Sequence, residues 1–250
     1  MVVAQGRYAD LPTQTTNPYT PQPMDNSLSD LVLVVDESGS MCSLQSAVIS
    51  SFNGFINEQK EGQGSACVTL YTFSDTVSKT LQACDVREVT PLSEKNYDPH
   101  GCTALLDAVG TAIDETGARL AALPEEKRPG TVIVGIMTDG YENASKNYTW
   151  KDIADRIRHQ KEKYNWHFMF FGADEAAIAA AAKLNIERSE SALWKAGDAE
   201  EVSTVMSAQS RRVRARRHAA MKCASAADMD ILSSSLEAVT NTFRRNKRKK

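Results

Sequence analysis

An α/β domain with a doubly wound, mostly parallel sheet, one antiparallel edge strand and helices on both faces is the architecture expected of this 250-residue chain. Three observations carry that expectation. Leu31–Val35 and Thr131–Met137 are long apolar runs of the kind found in strands covered on both faces. Segments with helical periodicity alternate with strand-like ones from about residue 30 to 210. The short polar link Ser74-Asp75-Thr76 joins two further strand-like segments as a hairpin, which places one antiparallel strand in the sheet.

The elements follow in order. Residues 1–29 are polar, contain Pro12, Pro18, Pro21 and Pro23 and lack periodicity, the composition of a disordered leader. The first strand occupies about Asp30 to Asp36. Leu44, Ala47, Val48, Phe52, Phe55 and Ile56 recur at helical spacing and predict a helix over about 43–60, ended by Gly62 and Gly64. Ala66–Phe73 and Val77–Val86 are the hairpin strands. Tyr97–Cys102 forms a loop, and Thr103 opens a helix whose apolar set is Leu105, Val109, Ala112, Ile113 and Leu120. Pro124 and Pro129 bracket the turn before the second long strand. Thr149 and Asp152 have the spacing of a capping box, with Trp150, Ile153 and Ile157 on one face of the helix that follows.

Trp166–Phe171 predicts a strand, 174–184 an alanine-rich helix, Ile186 a short strand, and 198–213 a helix with Val202, Val205 and Met206 inward. The domain is thereby bounded at 30–210, ahead of a basic extension over 211–250. There Met229, Leu232, Leu236, Val239 and Phe243 step by 3, 4, 3 and 4 on one amphipathic helix, too short a seam for a coiled coil.

Charge is unevenly spread. From Ser207 onward there are 12 Lys and Arg against 3 Asp and Glu, so the chain's net −3 divides into +9 there and −12 before it. A basic extension of this kind fits a nucleic acid, an acidic surface or a simple role in solubility. No run approaches the length of a membrane span and the first residues lack a signal-peptide core, so a cytoplasmic location is expected. Cys42, Cys67, Cys84, Cys102 and Cys223 are odd in number and form no C-x-x-C pair, which argues for free thiols.

Asp36-Glu37-Ser38-Gly39-Ser40 places a carboxylate at the end of the first long strand and two hydroxyls at every second position after it. The second long strand also ends in a carboxylate, Thr138-Asp139-Gly140. In open parallel sheets ligands gather outside the carboxyl ends of the strands. If the two strands are neighbours, the carboxylates meet at one edge and form an oxygen-rich site for a hard cation. Each residue alone has a plainer reading: Asp36 and Asp139 as turn caps, Ser38 and Ser40 as caps of the first helix, Thr103 as an N-cap. Capping does not require both long strands to end in aspartate. Glu37, Asp75, Asp98 and His100 are read as solvated loop residues near the same rim.

Together, Asp36-x-Ser38-x-Ser40, Gly101-Cys-Thr103 and Thr138-Asp139-Gly140 resemble the metal-ion-dependent adhesion site of von Willebrand factor type A domains, over about residues 30–210. Tyr71-Thr-Phe73-Ser-Asp and Thr103-Ala-Leu-Leu-Asp107 look similar to intracellular bacterial members. The resemblance implies a Rossmann-like fold and a Mg²⁺ site, with Mn²⁺ or Ca²⁺ as alternatives, ligated by Asp36, Ser38, Ser40, Thr103 and Asp139. It further implies a non-enzymatic adaptor that binds an Asp or Glu carboxylate of a protein partner. Two other functions are expected to compete: a Mg²⁺-dependent phosphatase-like hydrolase with Asp36 as nucleophile, and a nucleic-acid-associated protein acting through Arg211–Arg217 and Arg244–Lys250.

Overall fold

The computed structural model describes residues 24–139, 141–195 and 198–247. Residues 1–23 of the expected leader, Gly140 of the second aspartate motif and Arg248–Lys250 of the basic end lie outside the described residues. Strands β1 (Asp25–Asp36), β2 (Ser65–Phe73), β3 (Val77–Asp85), β4 (Pro129–Met137), β5 (His167–Gly172) and β6 (Ser191–Leu193) form one sheet in the order β3-β2-β1-β4-β5-β6. Every neighbouring pair is parallel except the β2–β3 hairpin, so the antiparallel strand is at the edge, as expected.

Alternation along β1 divides the core. Leu31, Leu33 and Val35 join Val48 and Phe52 of helix α1 (Gln45–Lys60) and Val202 and Val205 of helix α5 (Ala199–Ala220). Val32 and Val34 face the other way, onto Leu105 and Val109 of helix α2 (Leu105–Ala121). Ile153 and Ile157 of helix α3 (Trp150–Tyr164) and Ala177 and Ala181 of helix α4 (Glu175–Lys183) complete that layer. The sheet is thus buried on both faces, which is why its central strands read as unbroken apolar runs. Thr149 and Asp152 form the expected capping box at the start of α3.

Four expectations are corrected. Strand β1 starts at Asp25, inside the stretch read as leader, because Asp25 pairs with Pro129 across an irregularity in the ladder. The sixth strand is Ser191–Leu193; Ile186 is instead buried against the α2, α3 and α4 layer. Helix α5 continues to Ala220, since Val213 and Ala215 remain on its buried face. The expected single C-terminal helix is two, α6 (Ala226–Ser233) and α7 (Leu236–Lys247). Ser234 is extended between them, and Ser235 Oγ accepts from Ala238 N at 3.1 Å in the manner of an N-cap. Leu236 and Val239 are buried while Met229 is 55% exposed, so the apolar seam is not continuous.

The extra turns of α5 change the meaning of its arginines. Arg212 is buried and donates to Glu190 from Nη2 (2.8 Å) and Nε (3.2 Å). Its Nη1 reaches the carbonyls of Ile231 (2.8 Å) and Ser234 (2.6 Å), capping α6 from outside. Arg216 Nη2 donates to the same Glu190 at 2.6 Å. Arg217 is buried with its Nη1 on Gln59 O and Oε1, both at 3.0 Å. Arg212, Arg216 and Arg217 are therefore tied into the fold from the end of α5, while Arg211 is exposed.

Glu190 balances two guanidinium groups in a mostly buried cluster. Glu190→Gln is expected to lower stability by about 3 kcal/mol, because the positive charges stay behind without their counter-charge. Urea denaturation followed by circular dichroism checks this through a lower midpoint at unchanged slope.

Candidate functional site

Strands β1 and β4 are parallel neighbours, with Val35 opposite Met137. Their terminal carboxylates, Asp36 and Asp139, therefore emerge at one edge of the sheet. Asp36 is fully buried. Its Oδ1 accepts from Ser38 N at 2.7 Å, and its Oδ2 accepts from the Thr138 hydroxyl at 2.5 Å. Ser38 Oγ lies 3.0 Å from Ser40 Oγ, and Ser40 Oγ donates to Asp139 Oδ1 at 2.7 Å. The structure thus links Asp36, Ser38, Ser40 and Asp139 in one chain of contacts, the first through the Ser38 backbone N–H and the others through hydroxyls.

The plainer readings can now be tested against geometry. Ser38 precedes the 3-10 turn Gly39–Leu44, yet no side-chain cap bond forms there. The residue preceding α2 is Ala104, so Thr103 is not its N-cap. The hydroxyls of Ser38 and Ser40 are spent on the site instead of on helix ends.

Among the described residues no Lys or Arg pairs with Asp36 or Asp139. Segments 37–44, 74–76, 97–104 and 139–145 contain no Lys or Arg at all. Burial pushes the Asp36 carboxyl up to about 6, against the lowering effect of its bonds from Ser38 and Thr138, and Asp139 adds to the rise. Asp139 is raised as well, first by burial, while the Ser40 hydroxyl opposes the shift. Among the described residues no group of three or more His, Cys, Asp or Glu side chains forms a metal cage. The donors offered here are two carboxylates and neutral hydroxyls, the set suited to a hard cation that keeps open positions.

Neighbouring loops are stitched to this edge. Tyr97 Oη donates to Asp36 O at 2.6 Å from a fully buried position. Glu37, expected to be solvated, accepts from Asp98 N at 2.6 Å, and its carbonyl accepts from His100 N at 2.8 Å. Gly39 N donates to Gly101 O at 3.1 Å. Gly101 has φ +69°, and a Cβ there would lie 2.0 Å from Asp75 Oδ2, so this crossing needs glycine. His100 is exposed, and its ring is raised mainly by its bond to the Asp98 carbonyl.

Thr103 is buried and enters through its backbone. Its N–H donates to Asn143 Oδ1 at 2.8 Å, and its carbonyl accepts from Asn143 N at 3.1 Å. The loop that follows Asp139 is in turn fastened to α2. Glu142 Oε2 accepts from Leu106 N at 2.9 Å and Ser145 Oγ accepts from Asp107 N at 3.0 Å, so the helix start is capped from a distant loop. Asp107 replies with both oxygens, which accept from the N–H groups of Lys146, Asn147 and Tyr148 at 2.9–3.1 Å. Glu142, Asn143, Tyr97 and the clasp role of Asp107 were not foreseen, because their partners are far away in sequence. The Asp107 position within Thr103-Ala-Leu-Leu-Asp107 was the one available signal.

No protein-family model matches the chain, and no curated protein matches it in sequence. Solved structures match it in fold. The PilB minor pilin from Streptococcus sanguinis does so with a TM-score of 0.53 at 14% identity, over 80% of this chain and 63% of that one. A von Willebrand factor type A protein from Catenulispora acidiphila gives 0.51 at 13% identity, over 75% and 43%. The pilus adhesin SpaC from Lactobacillus rhamnosus GG, in its open conformation, gives 0.54 at 15% identity, over 78% and 30%. The chain thus spans less than two thirds of each of these proteins. At such identities the likeness establishes a von Willebrand factor type A-like, Rossmann-like α/β fold.

Two outcomes follow from this geometry. The folded protein holds the Asp36 proton more tightly than the unfolded chain does, so in EDTA that contribution to stability is full below about pH 4 and is lost as pH rises through about 6. Asp36→Asn is then expected to raise stability in EDTA at pH 7, on the order of 2 kcal/mol, and to flatten the pH dependence of the melting temperature. Asp107→Ala is expected to cost about 3 kcal/mol, since three backbone donors lose their acceptor; chemical denaturation measures it.

Proposed function

We propose that the chain is a divalent-cation-dependent protein-binding module, in which Asp36, Ser38, Ser40, Thr103 and Asp139 hold Mg²⁺ and the cation receives an Asp or Glu carboxylate from a protein partner. The observation that carries this reading is the chain of contacts from Asp36 to Asp139, closed by hydroxyls and left without a basic partner among the described residues. Two clustered carboxylates in a segment set free of Lys and Arg repel an incoming carboxylate. A bound divalent cation balances their charge and supplies an electrophilic centre for the partner's oxygen. Ligand capture is then conditional on metal.

Several further features support the same reading. A pilus adhesin is among the solved structures of like fold. All five cysteines are free, as suits a reducing cytoplasm. Among the described residues no helix is long and apolar enough to cross a membrane. A nucleophilic role for Asp36 is disfavoured, because the carboxylate is fully buried and both its oxygens already accept hydrogen bonds. Nucleic-acid binding through Arg211–Arg217 loses its basis once Arg212 and Arg217 are internal.

Calorimetric titration tests the proposal. Wild type is expected to bind Mg²⁺ or Mn²⁺, and Asp139→Ala to lose that binding while retaining its fold. The cation should raise the melting temperature more at pH 7.5 than at pH 5, where protons compete for Asp36. Affinity capture in Mg²⁺, in EDTA and with Asp139→Ala should recover a partner only in the first case. Absence of cation binding by wild type would overturn the reading, and turnover of p-nitrophenyl phosphate lost in Asp36→Asn would replace it with the hydrolase.

A further inference from the structure

Resting on the cation site proposed above, we infer that Asn143 is its positioning residue, fixing the Thr103 loop relative to Asp139. One loop precedes the start of α2 and the other follows the end of β4, and nothing in their local sequence sets their separation. Asn143 supplies the missing link twice over. Its Oδ1 accepts from Thr103 N at 2.8 Å, and its own N–H donates to Thr103 O at 3.1 Å. The neighbouring Ala144 N–H adds a bond to the same carbonyl at 3.3 Å. The Thr103 peptide is thereby held on both sides by a residue four positions beyond Asp139.

The other anchors of the loop act elsewhere. Glu142, Ser145 and the N–H groups of 146–148 bind the start of α2 through Leu106 and Asp107. Tyr148 lies over Gly110, where a Cβ would meet the ring at 2.7 Å. These contacts keep the loop on the helix. Asn143 transmits that placement to Thr103. Its side chain suits the task, since a short amide oxygen reaches a main-chain N–H without a charge that would itself attract a cation. Asn143 is exposed, so its truncation opens no cavity in the core.

The experiment compares Asn143→Ala with Ser145→Ala, which loosens the same loop without touching Thr103. Mn²⁺ affinity is measured by calorimetry, and melting temperature in EDTA. Asn143→Ala is expected to weaken Mn²⁺ binding about 10-fold, the usual effect of losing a group that orients a metal ligand, with little change in melting temperature. Ser145→Ala should lower the melting temperature and leave affinity within about twofold of wild type. Equal affinity losses in both variants, or none in Asn143→Ala, would overturn the positioning role while leaving the cation site standing. No Mn²⁺ binding by wild type would overturn both.

Discussion

Burial of the Asp36 carboxylate among neutral donors is the constraint on which the candidate site depends. Asp36 ends the central strand of the sheet, flanked by parallel strands on both sides, so its side chain is fully buried. Ser38 N and the Thr138 hydroxyl satisfy its oxygens but do not neutralise its charge. Stability alone gives little reason to keep an ion there, because an amide of the same shape carries no charge to desolvate and still offers one oxygen to Ser38 N. Asp139 sharpens the conflict by placing a second carboxylate on the adjoining strand. Ser40 then spans the two loops, and its exposed hydroxyl faces the opening of the site. An unbalanced charge of this kind is what a functional site retains and a scaffold removes.

A second dependence runs through the start of α2. That helix has no capping side chain of its own, and Ala104 at its N-cap position cannot supply one. Its first free N–H groups are met by Glu142 and Ser145 instead. The bonds that cap the helix and those that hold Thr103 thus come from one loop, the first from Glu142 and Ser145 and the second from Asn143. The loop after Asp139 cannot leave α2 without unpairing helix donors, and Thr103, just ahead of that helix, is carried with it. A local cap at residue 104 would have satisfied the helix and left the two halves of the site independent.

The sheet was legible in the sequence wherever one strand or helix carried its own signal. Apolar runs marked β1 and β4, Ser74-Asp75-Thr76 marked the hairpin, and Thr149 with Asp152 marked the start of α3. The aspartates at the two strand ends were legible too, because parallel pairing converts strand ends into neighbours. What escaped depended on partners distant in the chain. The edge strand β6 is three residues long and owes its existence to pairing with β5. The run from Arg211 to Arg217 read as part of a basic extension because Glu190 and Gln59, which receive guanidinium groups of Arg212, Arg216 and Arg217, lie far upstream. Glu142, Asn143 and Asp107 were invisible as a group for the same reason: a carboxylate gripping the backbone of another loop has no sequence period.

The direction of α5 decides where its own arginines lie. Helix α5 returns across the sheet against the strand direction, and its end meets the beginnings of β1 and β2: a Cβ on Gly64 would touch Met221 and Ser27 O, both at 2.6 Å. That is the edge opposite Asp36. The arginines of α5 are therefore carried toward the far side, where Arg217 binds Gln59 at the end of α1 and Gln63 beyond it. Among the described residues no Lys or Arg pairs with Asp36 or Asp139 at the opposite edge. Had α5 run the other way, an arginine could have neutralised Asp139 and closed the site.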